Sequence, residues 1–275
     1  MEWAGDKAKA AGEFAEHWGP AIAGGTAGAL LGAPLGPLGM LFGAAGGALI
    51  GDEIANPGRP LSDDERKHLE QIYGKDGLDY DSVRIRKESL LSLGSSRTIG
   101  NGINMEKGYT DSKGNWVDYF NPDGSLTEEG LQTLSHESLH AWQYQKGGVG
   151  YMADSLSHQC TAACRHDDRN AAYAYAEADK KGLPWEKWSA EQQASAIEDW
   201  HTTQREADAL GKQAEAETDA TKKAELAAKQ AEKQKKADQL TKYRDKVRAG
   251  KGAATFNGDD IEDIKKGRAV PANPS

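Results

Sequence analysis

Residues 125–148 read SLTEEGLQTLSHESLHAWQYQKGG, and their spacing decides the architecture of the chain. Ser125-Leu126-Thr127-Glu128 offers a capping box, in which a hydroxyl and a carboxylate three residues apart satisfy the first free N–H groups of a helix. Apolar Leu131, Leu134, Leu139 and Trp142 follow at helical spacing until Gly147-Gly148 stops the run. The pattern predicts a helix over residues 127–146. Within it lies His136-Glu137-Ser138-Leu139-His140, an HExxH string. Residues i and i+4 share one helical face, so both imidazoles can reach a single zinc ion at about 2.0–2.1 Å, with Glu137 beside them as a general base. A Lewis acid and a proton acceptor would then occupy one helical turn.

A catalytic zinc needs a third protein ligand, and residues 141–146, AWQYQK, hold no further histidine. Carboxylates on a later helix are the alternative, and Glu177, Glu191 and Glu198 are the candidates. Ser189 with Gln192 forms a second capping signal that opens a helix through Ile197 and Trp200, with Pro184 near the start of a shorter one. Glu191 falls in the first turn of that longer helix and is the favoured ligand. Glu198, on the same face, or Asp199 beside it, is placed to orient a ligand histidine from outside. Tyr173 and Tyr175 are candidate donors to an oxyanion, although aromatic residues at this spacing more often pack. His158, Cys160, Cys164 and His166 suggest a second metal cluster, for which reduced thiols beside exposed histidines are the simpler reading.

Upstream, Val83-Arg84-Ile85-Arg86 alternates with period two, Thr98 to Met105 is interrupted by Gly100 and Gly102, and Trp116 to Phe120 is aromatic and β-branched. All three read as short strands, and Thr98 to Met105 as an edge strand able to align an extended substrate. Asn101-Gly102 and Asp123-Gly124 are turn signals. Further out, Trp18 to Gly51 holds 34 residues with no charge and eleven glycines. Its glycines recur every fourth residue, from Gly24 to Gly36 and from Gly39 to Gly51, with Pro34 and Pro37 where a turn would join two helices. Such stripes let helices approach closely in lipid, yet each arm spans only roughly 22 Å against a hydrocarbon core of about 30 Å.

From Arg205 to Arg248 the chain is Ala, Lys, Glu and Gln with few large apolar residues, a good helix former with little to bury. Residues 1–200 carry 18 basic against 30 acidic side chains, residues 201–251 carry 13 against 9. The basic helix either folds back on the acidic body or stands solvated. The expected fold is α+β and mostly helical. A small sheet with an edge strand packs on the HExxH helix and a downstream Glu-bearing helix, flanked by a glycine-zipper hairpin and a charged C-terminal helix. The expected segments are 1–18, an N-terminal stretch; 19–55, the hairpin; 56–204, the zinc domain; 205–250, the charged helix; and 251–275, a disordered tail.

The run 134–145, LSHESLHAWQYQ, followed by Tyr173-Ala174-Tyr175 and Glu191-Gln192-Gln193-Ala194, resembles the gluzincin-type metallopeptidase domains of bacterial polymorphic toxins and type VI secretion effectors. The resemblance covers about residues 80–200 and implies zinc on His136, His140 and Glu191, with Glu137 as base. It also implies a protein or peptide substrate, a secretion chaperone over residues 19–55, an immunity protein, and delivery into the periplasm or cytoplasm of a target cell. Ser138 and Leu139 depart from the pair common in that family. The alternative is a membrane-perturbing toxin acting through the hairpin, with the zinc domain secondary.

The charge balance argues against one class. With a net charge of -9, the chain lacks the basic excess that nucleic-acid binding requires. No basic segment leads into an apolar core at Met1-Glu2-Trp3, so secretion is expected without a cleavable signal peptide.

Overall fold

The fold is α+β and mostly helical, with a small mixed sheet. The structure, a computed structural model, describes residues 57–87, 95–147 and 174–252. Outside the described residues lie segment 1–18, the hairpin at 19–55, His158, Cys160, Cys164, His166 and Tyr173, and the tail beyond Gly252. The chain divides into two compact units, residues 1–61 with 82–119 and residues 62–81 with 120–275.

In the first unit β1 (Arg59–Pro60), β2 (Arg84–Lys87), β3 (Arg97–Ile99) and β4 (Gly102–Met105) form a sheet in the order β1-β2-β4-β3. β2 and β4 run parallel with Ile85 opposite Ile103, and β1 and β3 add antiparallel at the two edges. The stretch Thr98 to Met105, expected as one edge strand, is a hairpin. Gly100 turns the chain at a φ of 59°, so β3 alone forms the edge and β4 lies inside with all four residues buried. Gly102 on β4 leaves room for the Arg86 guanidinium, which lies where a Cβ would stand.

β5 (Gly108–Thr110) and β6 (Trp116–Asp118) form a separate hairpin. Asp111 closes its turn by accepting from the backbone N–H groups of Lys113 and Asn115, both at 2.8 Å, with Gly114 at a φ of 84°. The second unit has a like turn at Asn121–Ser125, where the Asn121 N–H reaches the Ser125 carbonyl at 2.8 Å and Gly124 has a φ of 85°. That turn displaces the expected helix cap. The Ser125 hydroxyl donates to the Asp123 carboxylate at 2.6 Å, so Thr127 caps instead, accepting from the Gly130 N–H at 3.1 Å.

The second unit is built of helices: α1 (Asp63–Tyr73), α2 (Glu128–Gly147), α3 (Tyr175–Lys180), a 3-10 turn (Trp185–Lys187), α4 (Ala190–Ala216) and α5 (Ala220–Arg248). α2 carries the HExxH string and matches its predicted span to within one residue. Leu134, Leu139 and Trp142 on α2, Leu69 and Ile72 on α1, and Ile197 on α4 are all fully buried. Ser138 donates to the Ser135 carbonyl at 3.1 Å and lies 2.8 Å from the hydroxyl of buried Tyr73 on α1. It therefore ties α1 to the helix that carries the motif.

α4 runs unbroken through residue 204 and far into the Ala-rich stretch. The chain then reverses at Glu217–Asp219, where the Asp219 carboxylate caps α5 through the N–H groups of Thr221 and Lys222, both at 2.9 Å. α5 folds back along α4: Glu206 pairs with Lys233, Gln204 with Gln234, and Trp200 donates to Thr241 at 3.2 Å. Small buried residues, Ala207, Ala214 and Ala237, let the two helices approach, and Leu240, Tyr243 and Val247 complete the seam. At the far end Arg248 donates to the Gln71 and Ile72 carbonyls at 2.7 and 3.0 Å, satisfying the free C-terminal end of α1.

The N-terminus of α4 is fixed by a reciprocal capping box. Ser189 accepts from the Gln192 N–H at 3.1 Å, and the Gln192 side chain accepts from the Ser189 N–H at 3.1 Å. Ser189→Ala is expected to lower unfolding stability by about 1 kcal/mol, read as a shifted denaturant midpoint. An unchanged midpoint would show that the box does not stabilise the turn that carries Glu191.

Candidate metal centre

α2 and α4 lie antiparallel, with Glu128 near Arg205, Gln132 near Glu198 and Gln143 near Gln193. This pairing sets the middle of the HExxH helix against the first turns of α4. His136 and His140 stand one turn apart, their rings 5.3 Å between centroids and near perpendicular. Glu191, in the first turn of α4, points one carboxylate oxygen between them. That oxygen is 3.2 Å from His136 Nε2 and 3.4 Å from His140 Nε2. One ligand atom from each of the three residues lies within 4.8 Å of the others, and the group could hold a metal ion. His140 and Glu191 are buried and His136 is partly so.

The outer hydrogen bonds settle which ring nitrogens are available. His136 Nδ1 lies 2.9 Å from a Glu198 oxygen, and the other Glu198 oxygen accepts from the Gln132 amide at 2.7 Å. A carboxylate can only accept, so His136 donates from Nδ1, and in its neutral form it carries the lone pair on Nε2. His140 Nδ1 lies 3.0 Å from Gln143 Oε1, a carbonyl-type acceptor, with the same consequence. Two nitrogen lone pairs and a carboxylate oxygen therefore converge, an arrangement that repels itself unless a cation or a proton lies between. Three donors around a tetrahedral ion at about 2.0–2.1 Å stand about 3.3–3.4 Å apart, which the two His–Glu191 separations match. Such a spacing is compatible with a bound metal ion.

Without an ion the charges report the same need. Burial pushes His136 toward the neutral form, yet Glu191, Glu198 and Glu137 outweigh it and hold its pKa well above the usual range. His140 shifts upward too, burial being outweighed by Glu191 and Glu137. Glu191 moves the other way: burial favours its neutral acid, but His140 and His136 hold it well below the ordinary carboxylate range. Glu198 is lowered, His136 outweighing burial. Glu137 is buried, and its charge reaches both imidazoles.

Comparison with known proteins returns no match, whether among family models, curated proteins or solved structures. The candidate rests on its own geometry.

Of the three carboxylates weighed from sequence, Glu191 meets the histidines, Glu198 bonds His136 from outside, and Glu177 on α3 is exposed. Asp199, the alternative to Glu198, accepts instead from the Tyr175 hydroxyl at 2.6 Å. The Tyr175 ring stacks with Trp188 and meets Tyr243 edge-on, both at 6.0 Å, so the ring packs while its hydroxyl is held by Asp199. Gln143 and Gln193 carry no sequence signal of their own, since glutamine in a helix is ordinarily a solvated residue.

Proposed function

We propose that the chain is a zinc-dependent hydrolase of peptide bonds, with His136, His140 and Glu191 as metal ligands and Glu137 as general base. The observation that carries the reading is the approach of one Glu191 oxygen to both HExxH histidines at zinc-compatible spacing, with Glu137 in the same turn. Zinc bound there would supply a Lewis acid and make water a nucleophile near neutral pH. Glu137 takes the proton of the attacking water on its carboxylate and delivers it to the leaving amine. Glu198 and Gln143 hold the two imidazoles in the tautomer that puts the lone pair on Nε2, toward Glu191. Low solvent exposure around His140, Glu137 and Glu191 strengthens these charge interactions.

Delivery into a target cell, a chaperone over residues 19–55 and an immunity protein belong to the same proposal through the resemblance to toxin domains. Among the described residues no helix is long and apolar enough to cross a membrane. Elemental analysis of the purified full chain is expected to find about one zinc per molecule, and incubation with a mixed peptide library to yield zinc-dependent cleavage products. Full metal retention after His136→Ala and His140→Ala would refute the site, and a zinc-loaded chain that cleaves no peptide would refute the substrate class.

A further inference from the structure

Behind the candidate centre runs a chain of hydrogen bonds whose direction is fixed at its far end. The Trp185 backbone carbonyl accepts from the Gln193 amide at 2.9 Å, and it also accepts the Trp188 N–H at 3.1 Å. Gln193 is fully buried and turns its Oε1 toward Gln143, whose Nε2 donates to it at 2.8 Å. Gln143, also fully buried, then has only Oε1 left for His140 Nδ1 at 3.0 Å.

Each orientation follows from the one before. A backbone carbonyl has no proton to give, so Gln193 must present its NH2 there and its oxygen to Gln143. Gln143 must in turn present its NH2 to Gln193 and its oxygen to His140. His140 has to donate from Nδ1, which places its lone pair on Nε2, the atom facing Glu191 at 3.4 Å. The anchor is itself held: the Trp185 indole donates to the Lys251 carbonyl at 2.9 Å, and Gly252 lies so close to that indole that a Cβ there would collide with it. Thus the 3-10 turn before α4 and the chain just after α5 fix the carbonyl that fixes the amides.

We propose that Gln143 and Gln193 are positioning residues that set the metal-binding tautomer of His140, with the Trp185 carbonyl as the terminal acceptor that dictates it. The inference rests on the proposed metal centre. It differs from the arrangement at His136, where the Glu198 carboxylate can accept in either orientation and needs no further partner to choose the tautomer. An amide can flip, so at His140 the choice is delegated to buried neighbours.

Gln193→Leu removes the anchor. Gln143 can then turn its NH2 toward His140, favouring the wrong tautomer, and zinc affinity measured by chelator competition on the full chain is expected to fall by about 10- to 100-fold. Adding Gln143→Glu should restore most of that affinity, because a carboxylate has no donor to present and enforces Nδ1–H without help from residue 193. Loss of packing alone would not be repaired by this second change, so rescue separates tautomer control from a structural role. In the zinc-loaded parent, long-range proton–nitrogen NMR should find His140 protonated on Nδ1 and ligating through Nε2. Ligation through Nδ1, undiminished affinity in Gln193→Leu, or absence of rescue in the double variant would overturn the inference while leaving the metal centre standing. A parent chain that binds no zinc would overturn both.

Discussion

Glu137→Gln is expected to keep the fold and about one zinc per chain while peptide hydrolysis falls by about 10²- to 10⁴-fold, the range that a positioned general acid–base contributes. The substitution is nearly isosteric, and Glu137 is a buried residue, so no cavity is opened. The variant loses only the capacity to accept and return a proton. Glu191→Ala should behave in the opposite manner, because the oxygen it removes is the one shared by both histidines, at 3.2 and 3.4 Å. There, zinc retention falls first and activity follows it. Metal analysis and product mass spectrometry on the same preparations distinguish the two patterns. Equal zinc loss in both variants would reject the division of labour between base and ligand, and full activity in Glu137→Gln would remove Glu137 from the chemistry.

The parts legible in the sequence are those in which one short segment carries its own instructions. The helix with the HExxH string is announced by the helical spacing of its own apolar residues, and the Ser189 capping box announces α4 and puts Glu191 in its first turn. The cap of the HExxH helix is less legible: Ser125 looks like a cap, but Asp123 claims its hydroxyl in the preceding turn. The α4–α5 hairpin was hidden for a different reason. Much of its seam is Ala207, Ala214 and Ala237, which bury well but contribute little apolar signal, so the sequence leaves open whether this stretch packs back on the body or stands solvated.

The outer layer of the site was illegible because its members are separate in sequence and unremarkable singly. Glu198 could be guessed from its face of the helix, as a residue seven positions beyond Glu191. Gln143 and Gln193 could not, since their role depends on burial against each other and on a backbone carbonyl that no side-chain pattern reveals. The same holds for His68 and His201, which lie far apart in sequence and meet across Ser135.

That second histidine pair is expected to make the protein sensitive to acid. His68 Nε2 lies 2.8 Å from the Ser135 hydroxyl and His201 Nδ1 lies 3.2 Å from it, while His201 Nε2 faces Gln71 Oε1 at 3.2 Å. The rings meet edge to face at 4.1 Å, and both residues are buried. Burial first, and then the Arg205 charge, push His68 down to about 4, against smaller opposing effects of the Leu131 carbonyl and Glu65. Burial, His68 and Arg205 push His201 down to about 2. Both histidines are thus neutral in the fold and ordinary, near 6.5, in the unfolded chain. As pH falls below that value the unfolded chain takes up protons that the native state refuses, so stability present above about pH 6.5 is lost progressively toward pH 4. Each histidine contributes a slope of about 1.4 kcal/mol per pH unit in that window. Denaturant titrations of the metal-free parent and of His68→Gln at pH 7 and pH 5 isolate one of the pair, because the opposing shifts at His136, His140 and Glu191 are common to both proteins and cancel in the difference. The parent is expected to lose about 2 kcal/mol more than the variant between those two pH values. Equal losses would mean that His68 accepts its proton in the native fold, and the hydrogen bonds through Ser135 would then have to survive a charge that their burial forbids.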